Sequence, residues 1–172
     1  MKRQTQELTF GALMAALAVT VMYLGCLIPS MELVMDMAAG LIVGTVVAAM
    51  GVKAGLLCCV AAGVLALILI PSKAAALLFL IAFGLYPVVK SWLETRNRRA
   101  LEWVGKLAFF NGVLIFCVIF LKEFLFEGVQ VPLPLVFPGG NLFFLVYDYA
   151  FSRWMTILQY RVVDPWKRRK RK

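Results

Sequence analysis

Few residues in this 172-residue chain could do chemistry, and most of them sit near its end. Tyr147-Asp148-Tyr149 is followed five residues later by Arg153-Trp154, and Asn141 precedes the group. A carboxylate beside two phenols can orient a ligand donor while aromatic faces stack an apolar body, the usual mixture of an apolar pocket with few polar groups. Lys122, Glu123 and Asn141 would stand at the mouth of such a pocket, and Arg153 deeper, at its floor or on an anionic group. One alternative is structural: Asp148 and Arg153 make buried contacts that fix the fold, with Asn111 as a partner; a proton or ion relay is the other, for which one acid without histidine is thin support. Asp148 and Arg153 are offset by about 140° around a helix, a poor direct pair compared with residues three or four apart. Glu32 and Asp36 share one helical face, but two carboxylates are few for a hard cation and read as a solvated helix start.

Other chemistry is unsupported. There is no GxSxG, HExxH or phosphate-binding GxxxxGK[ST] motif, so any ATP hydrolysis belongs to other chains and no catalytic residue is assigned. Cys26, Cys58, Cys59 and Cys117 all fall in apolar stretches, without CxxC and without a single histidine, which predicts packing residues, no metal and no cofactor.

The elements that must position these groups follow from composition. The chain is 63% hydrophobic and 16% charged, with a mean hydropathy of +0.89. A soluble domain of this length is less apolar and carries more charge, so lipid is the natural solvent for the excess. Six apolar runs approach the roughly 20 residues that a spanning helix needs: about 8–28, 33–50, 53–70, 74–92, 101–121 and 141–162. The fold class is therefore all-α, a polytopic six-helix membrane bundle forming one domain. Leu8–Ile28 is too long for a signal-peptide core and lacks a small-residue cleavage site after it. Between the last two spans, 122–140 holds Pro132, Pro134 and Pro138, which predicts an extracytoplasmic cap or re-entrant segment without regular helix.

The charge balance, 18 Lys plus Arg against 9 Asp plus Glu, orients the bundle. With six spans, fifteen of the 18 cations share the side of both termini: Lys2, Arg3, Lys53, Lys90, Arg96, Arg98, Arg99, Lys106, Arg161 and the tail 167–172. The positive-inside rule makes that side cytoplasmic. The basic segment 163–172 then lies against anionic lipid, as do Lys90, Arg96, Arg98 and Arg99, and nucleic acid is not the expected partner.

Small residues recur at four-residue spacing, the pattern that lets membrane helices approach closely. The first span carries Gly11 and Ala15 beside Ala12 and Ala16, the second Gly40, Gly44 and Ala48, and the third Gly55, Cys59 and Gly63. For the second and third spans this reads as internal packing. For the first it reads equally as a face for another membrane subunit.

Six short spans, both termini inside, the opening run Gly11-Ala12-Leu13-Met14-Ala15-Ala16-Leu17-Ala18 and a cap before the last helix resemble the substrate-binding S-component of energy-coupling-factor (ECF) transporters. The resemblance implies a subunit of a bacterial inner membrane that captures a small organic solute, such as a vitamin or precursor. It would dock through Ala12 and Ala16, with Gly11 and Ala15 behind them, onto a transmembrane T-component served by ATPase subunits. The first connection is shorter than in many S-components, and the absence of histidine disfavours nickel and cobalt. In size and layout the chain is also similar to the rod-shape protein MreD, which implies instead a scaffold in cell-envelope assembly without a pocket.

Overall fold

The computed structural model describes residues 2–28, 30–95, 99–120 and 133–163, which are helical apart from short turns, with no strand among them. The first helix, α1, spans Lys2–Leu27; α2 follows at Glu32–Met50 and α3 at Val52–Leu69. Gly51 alone separates α2 from α3. Its φ of 95° is one that a side-chain-bearing residue rarely adopts, so glycine permits the reversal. These three helices pack on one another, and α2 also reaches the rest of the bundle.

The fourth apolar run is long enough to span but is not one regular helix. It comprises α4 at Lys73–Leu78, a π-helical turn at Phe79–Phe83 and α5 at Tyr86–Glu94. Ser72 caps α4, accepting from the Ala75 N–H at 3.3 Å and donating to Glu32 Oε2 at 3.1 Å. Pro87 occupies the first turn of α5, where its missing N–H disturbs least within that helix. By sequence, Pro87 falls inside the last turns of a continuous helix. The chain instead restarts there, because a proline cannot continue the bond ladder from the preceding turn.

Then come α6 at Arg99–Phe120 and α7 at Leu133–Leu158, closed by a π-helical turn at Gln159–Val163. Here the expectation for 122–140 is corrected at its C-terminal part. The final helix begins at Leu133 rather than near Asn141, and runs through Pro134 and Pro138. Pro134 is in the first turn, where no intrahelical N–H bond is lost, and Pro138 forfeits only one bond next to it. Residues 121–132, with Lys122 and Glu123, lie outside the described residues, as do Arg96, Arg98 and the tail 164–172.

Among the described residues, five helical segments are long and apolar enough to cross a membrane: Leu8–Leu27, Glu32–Met50, Val52–Leu69, Lys73–Glu94 and Leu101–Phe120. The last helix, α7, is not in that set. It carries Asn141, Asp148 and Arg153 besides its proline and glycines. Large apolar side chains cover the outside, among them Leu57, Ile68, Ile119 and Phe120, each at least 66% exposed. Such a surface suits lipid and would be unstable in water. Inside, Met22, Val43, Val46, Cys59, Ile70, Phe79, Tyr86 and Phe151 are all but inaccessible. The small residues Gly40, Gly44, Gly55, Cys59 and Gly63 of α2 and α3 all lie at buried positions, as internal packing requires.

Candidate functional site

A charged cluster and an apolar cavity adjoin one another between α5, α6 and α7, and Tyr86 belongs to both. Asp148 lies mid-way along α7 and is 6% exposed. Its Oδ1 accepts from the Tyr86 hydroxyl and from Lys90 Nζ. Lys106 Nζ stands 3.6 Å from its Oδ2. Lys90 also donates to Ser152 Oγ at 2.7 Å and pairs with Glu94 at 3.4 Å, while Lys106 pairs with Glu102 at 2.6 Å and Glu94 at 3.5 Å. Two ammoniums thus meet three carboxylates contributed by three helices.

This cluster corrects the reading of Lys90 and Lys106 as interfacial cations. They are 5% and 3% exposed. An ionised group is tolerated inside a membrane bundle only when paired, so the acid on α7 and the two lysines require one another. The clue was present as spacing: Tyr86, Lys90 and Glu94 fall at i, i+4 and i+8 on one helix, and Glu102 and Lys106 at i, i+4 on the next. Long basic side chains near the ends of apolar runs are ordinarily read as snorkelling anchors, which hid the signal.

Arg153 goes elsewhere. It is exposed, its guanidinium lies 5.5 Å from the Tyr149 ring centroid, and its Nε donates to the Tyr149 hydroxyl at 3.2 Å. Neither residue reaches the cavity or Asp148. Asn111 does not contact Asp148 either. It forms a reciprocal amide pair with Asn141, two bonds of 3.1 Å tying α6 to α7. Each amide also donates to the carbonyl four residues earlier on its own helix.

Asp36 differs from expectation too. It is 1% exposed, not a solvated helix start, and its Oδ2 has no hydrogen-bond partner. Among the described residues no group of His, Cys, Asp and Glu could hold a metal ion.

The cavity has a volume of about 390 Å³, within the range of small-molecule sites. Its walls come from the fourth run (Phe83, Tyr86), from α6 (Phe109, Val113, Cys117) and from α7 (Gly139, Phe143, Tyr147), with Leu33 of α2 contributing. The first turns of α7, Leu135 to Gly140, border it. Aromatic packing shapes the wall: Tyr86 meets Phe144 edge-on at 5.4 Å, and Phe83 meets Tyr147 at 5.4 Å. Of the sequence-derived binding residues that are described, only Tyr147 lines this space. Asp148 is not among the lining residues, but it accepts from the hydroxyl of Tyr86, which is.

The opening stripe of α1 divides. Ala15 is buried in the bundle, whereas Ala12 and Ala16 are exposed, and a Cβ added at Gly11 would meet nothing within 4 Å. The small residues therefore serve two faces, one packed internally and one free of other described residues. Comparison with protein-family models, with curated proteins and with solved structures finds no match for the chain.

Proposed function

We propose that this chain is the membrane-embedded capture subunit of an ECF-type uptake transporter, which holds a small organic solute and passes it to an ATP-driven module made of other chains. The observation that carries the reading is the cavity of about 390 Å³ between the fourth run, α6 and α7. The space is a half-open pocket with almost wholly apolar walls, which a scaffold held together by helix contacts alone has no need of. Its apolar, aromatic walls suit a lipid-soluble or aromatic solute rather than a charged one.

In this reading the bundle has six spans in a bacterial inner membrane, with both termini cytoplasmic. The Asp148 cluster then lies toward the cytoplasmic side and the cavity toward the outside. The exposed Ala12 and Ala16, flanked by Gly11, form the docking face for the transmembrane partner, where small side chains allow close helix approach.

Affinity purification from native membranes tests the proposal. The expected result is co-purification with a transmembrane subunit and ATPases, abolished when Ala12 and Ala16 are both changed to Leu, together with a small molecule retained by the purified chain. Recovery of cell-envelope assembly proteins alone, with no retained solute, would favour the scaffold role instead.

A further inference from the structure

The cavity's lining repeats along each helix that walls it. On α6 it takes adjacent pairs of residues one turn apart from Phe109 to Val118, and on α7 the same pattern runs from Leu135 to Tyr147. The fourth run adds a third stripe from Leu78 to Tyr86. Such spacing follows one face of a helix. Phe110 stacks on Phe144 at 4.5 Å and Lys106 stands 3.6 Å from Asp148, so α6 and α7 run antiparallel and Val118 shares an end with Leu135. At about 1.5 Å per residue the stripes extend over roughly 12–18 Å, whereas a round space of about 390 Å³ would be only about 9 Å across. The cavity is therefore a slot along the helix axes.

Its two ends differ. At one, Tyr86 and Tyr147 are 2% and 5% exposed, with ring centroids 5.5 Å apart. Neither hydroxyl donates into the slot: that of Tyr86 is committed to Asp148, and that of Tyr147 has no accessible surface. The closed end thus offers aromatic carbon alone. At the other end lie the first turns of α2 and α7, where the lining residues Leu33 and Leu135 are 38% and 62% exposed. The Ser72–Glu32 bond places the start of α4 at this same end. Its cation, Lys73, is taken up by the carbonyls of Leu67 and Ile70 at 2.7 and 2.9 Å.

We propose that the slot holds one unbranched hydrocarbon chain, its methyl end toward Tyr86 and Tyr147 and an uncharged polar end left at Leu33 and Leu135. A zigzag of carbon–carbon bonds of about 1.5 Å rises roughly 1.3 Å per methylene, so the stripes match a chain of roughly 9–14 carbons. A polar group carried to the closed end would lose its hydration without a partner. A compact ring system of equal carbon count cannot reach both ends. An opening edged by exposed leucines suits entry from lipid rather than from water.

The inference rests on the capture reading and gives the shape of its solute. The full chain in lipid nanodiscs is dialysed to equilibrium with undecan-1-ol or 1-adamantanemethanol, probes equal in carbon count and hydroxyl, against empty nanodiscs. Wild type is expected to bind the linear alcohol at least about tenfold more tightly, since each further methylene buried in the slot is worth about fourfold. In a series of linear alcohols from octan-1-ol upward, affinity should rise by about that factor per methylene and level off once the slot is full, at roughly fourteen carbons. Gly139→Leu, which narrows the slot, should weaken every linear alcohol; should it fail to fold, the wild-type series carries the test. Equal binding of the two probes, a series without a plateau, or undiminished binding by folded Gly139→Leu overturns the inference and leaves cavity capture standing. So does the absence of saturable alcohol binding by a chain that retains a solute from its native membrane. A chain that binds no alcohol and retains no solute overturns both.

Discussion

Replacing Asp148 by asparagine removes one charge while conserving shape, and its cost follows from the three groups that face it. The substituted amide keeps an oxygen for the Tyr86 hydroxyl but no longer neutralises Lys90 and Lys106. Stripping one member from a buried ion pair typically costs about 3–5 kcal/mol, mostly the penalty of the charge left behind. Here compensation remains: Lys106 retains Glu102 at 2.6 Å, and Lys90 retains Glu94 at 3.4 Å, a carboxylate 46% exposed. The expected loss therefore sits at the lower end, about 3 kcal/mol. At roughly 2–4 °C per kcal/mol for a chain of this length, the midpoint falls by roughly 6–12 °C. Thermal unfolding in nanodiscs, followed by tryptophan fluorescence, reads this directly. The drop should persist at high salt, because buried pairs are weakly screened. Adding Lys90→Met to Asp148→Leu should restore most of the loss, since apolar side chains of similar size replace a buried pair at little cost. A fall below about 2 °C for Asp148→Asn, or no recovery in the double variant, would refute the view that these charges hold one another in the bundle.

Other substitutions give graded outcomes. Asn111→Leu or Asn141→Leu breaks the reciprocal amide pair; each should cost about 1 kcal/mol in thermal unfolding, with a positive coupling in the double-mutant cycle. Ser72→Ala removes the cap of α4 and the bond to Glu32, and should cost about 1 kcal/mol by the same assay. Arg153→Gln, at an exposed site paired among the described residues only with Tyr149, should change stability by less than about 0.5 kcal/mol and leave solute retention intact. Gly139→Leu adds carbons where nothing stands within 4 Å, on the cavity face between Val136 and Phe143. It should displace solute, read by mass spectrometry, without lowering the unfolding midpoint, because leucine also favours helix over glycine.

The helices were legible because apolar runs of about 20 residues leave few options. Asp148 was legible as well: an acid well inside the last apolar run demands a partner. Its partners were not, because Lys90 and Lys106 lie 58 and 42 positions away in sequence, near the ends of apolar runs where lysine usually anchors to lipid headgroups. Pro134 and Pro138 misled in the other direction. Clustered prolines suggest irregular chain, yet one in the first turn and another four residues later cost α7 little. The cavity had no signature of its own. Its wall residues Phe83, Phe109, Val113 and Phe144 look like any packed interior, and only the third dimension shows that they leave a space.

Native mass spectrometry of the chain released from its own membrane tests the central claim, that the cavity holds a solute, most directly. Wild type should carry a small neutral molecule that Gly139→Leu loses, while an exposed-site variant such as Arg153→Gln keeps it. A bare mass for wild type, or an equal adduct on wild type and Gly139→Leu, would contradict the claim.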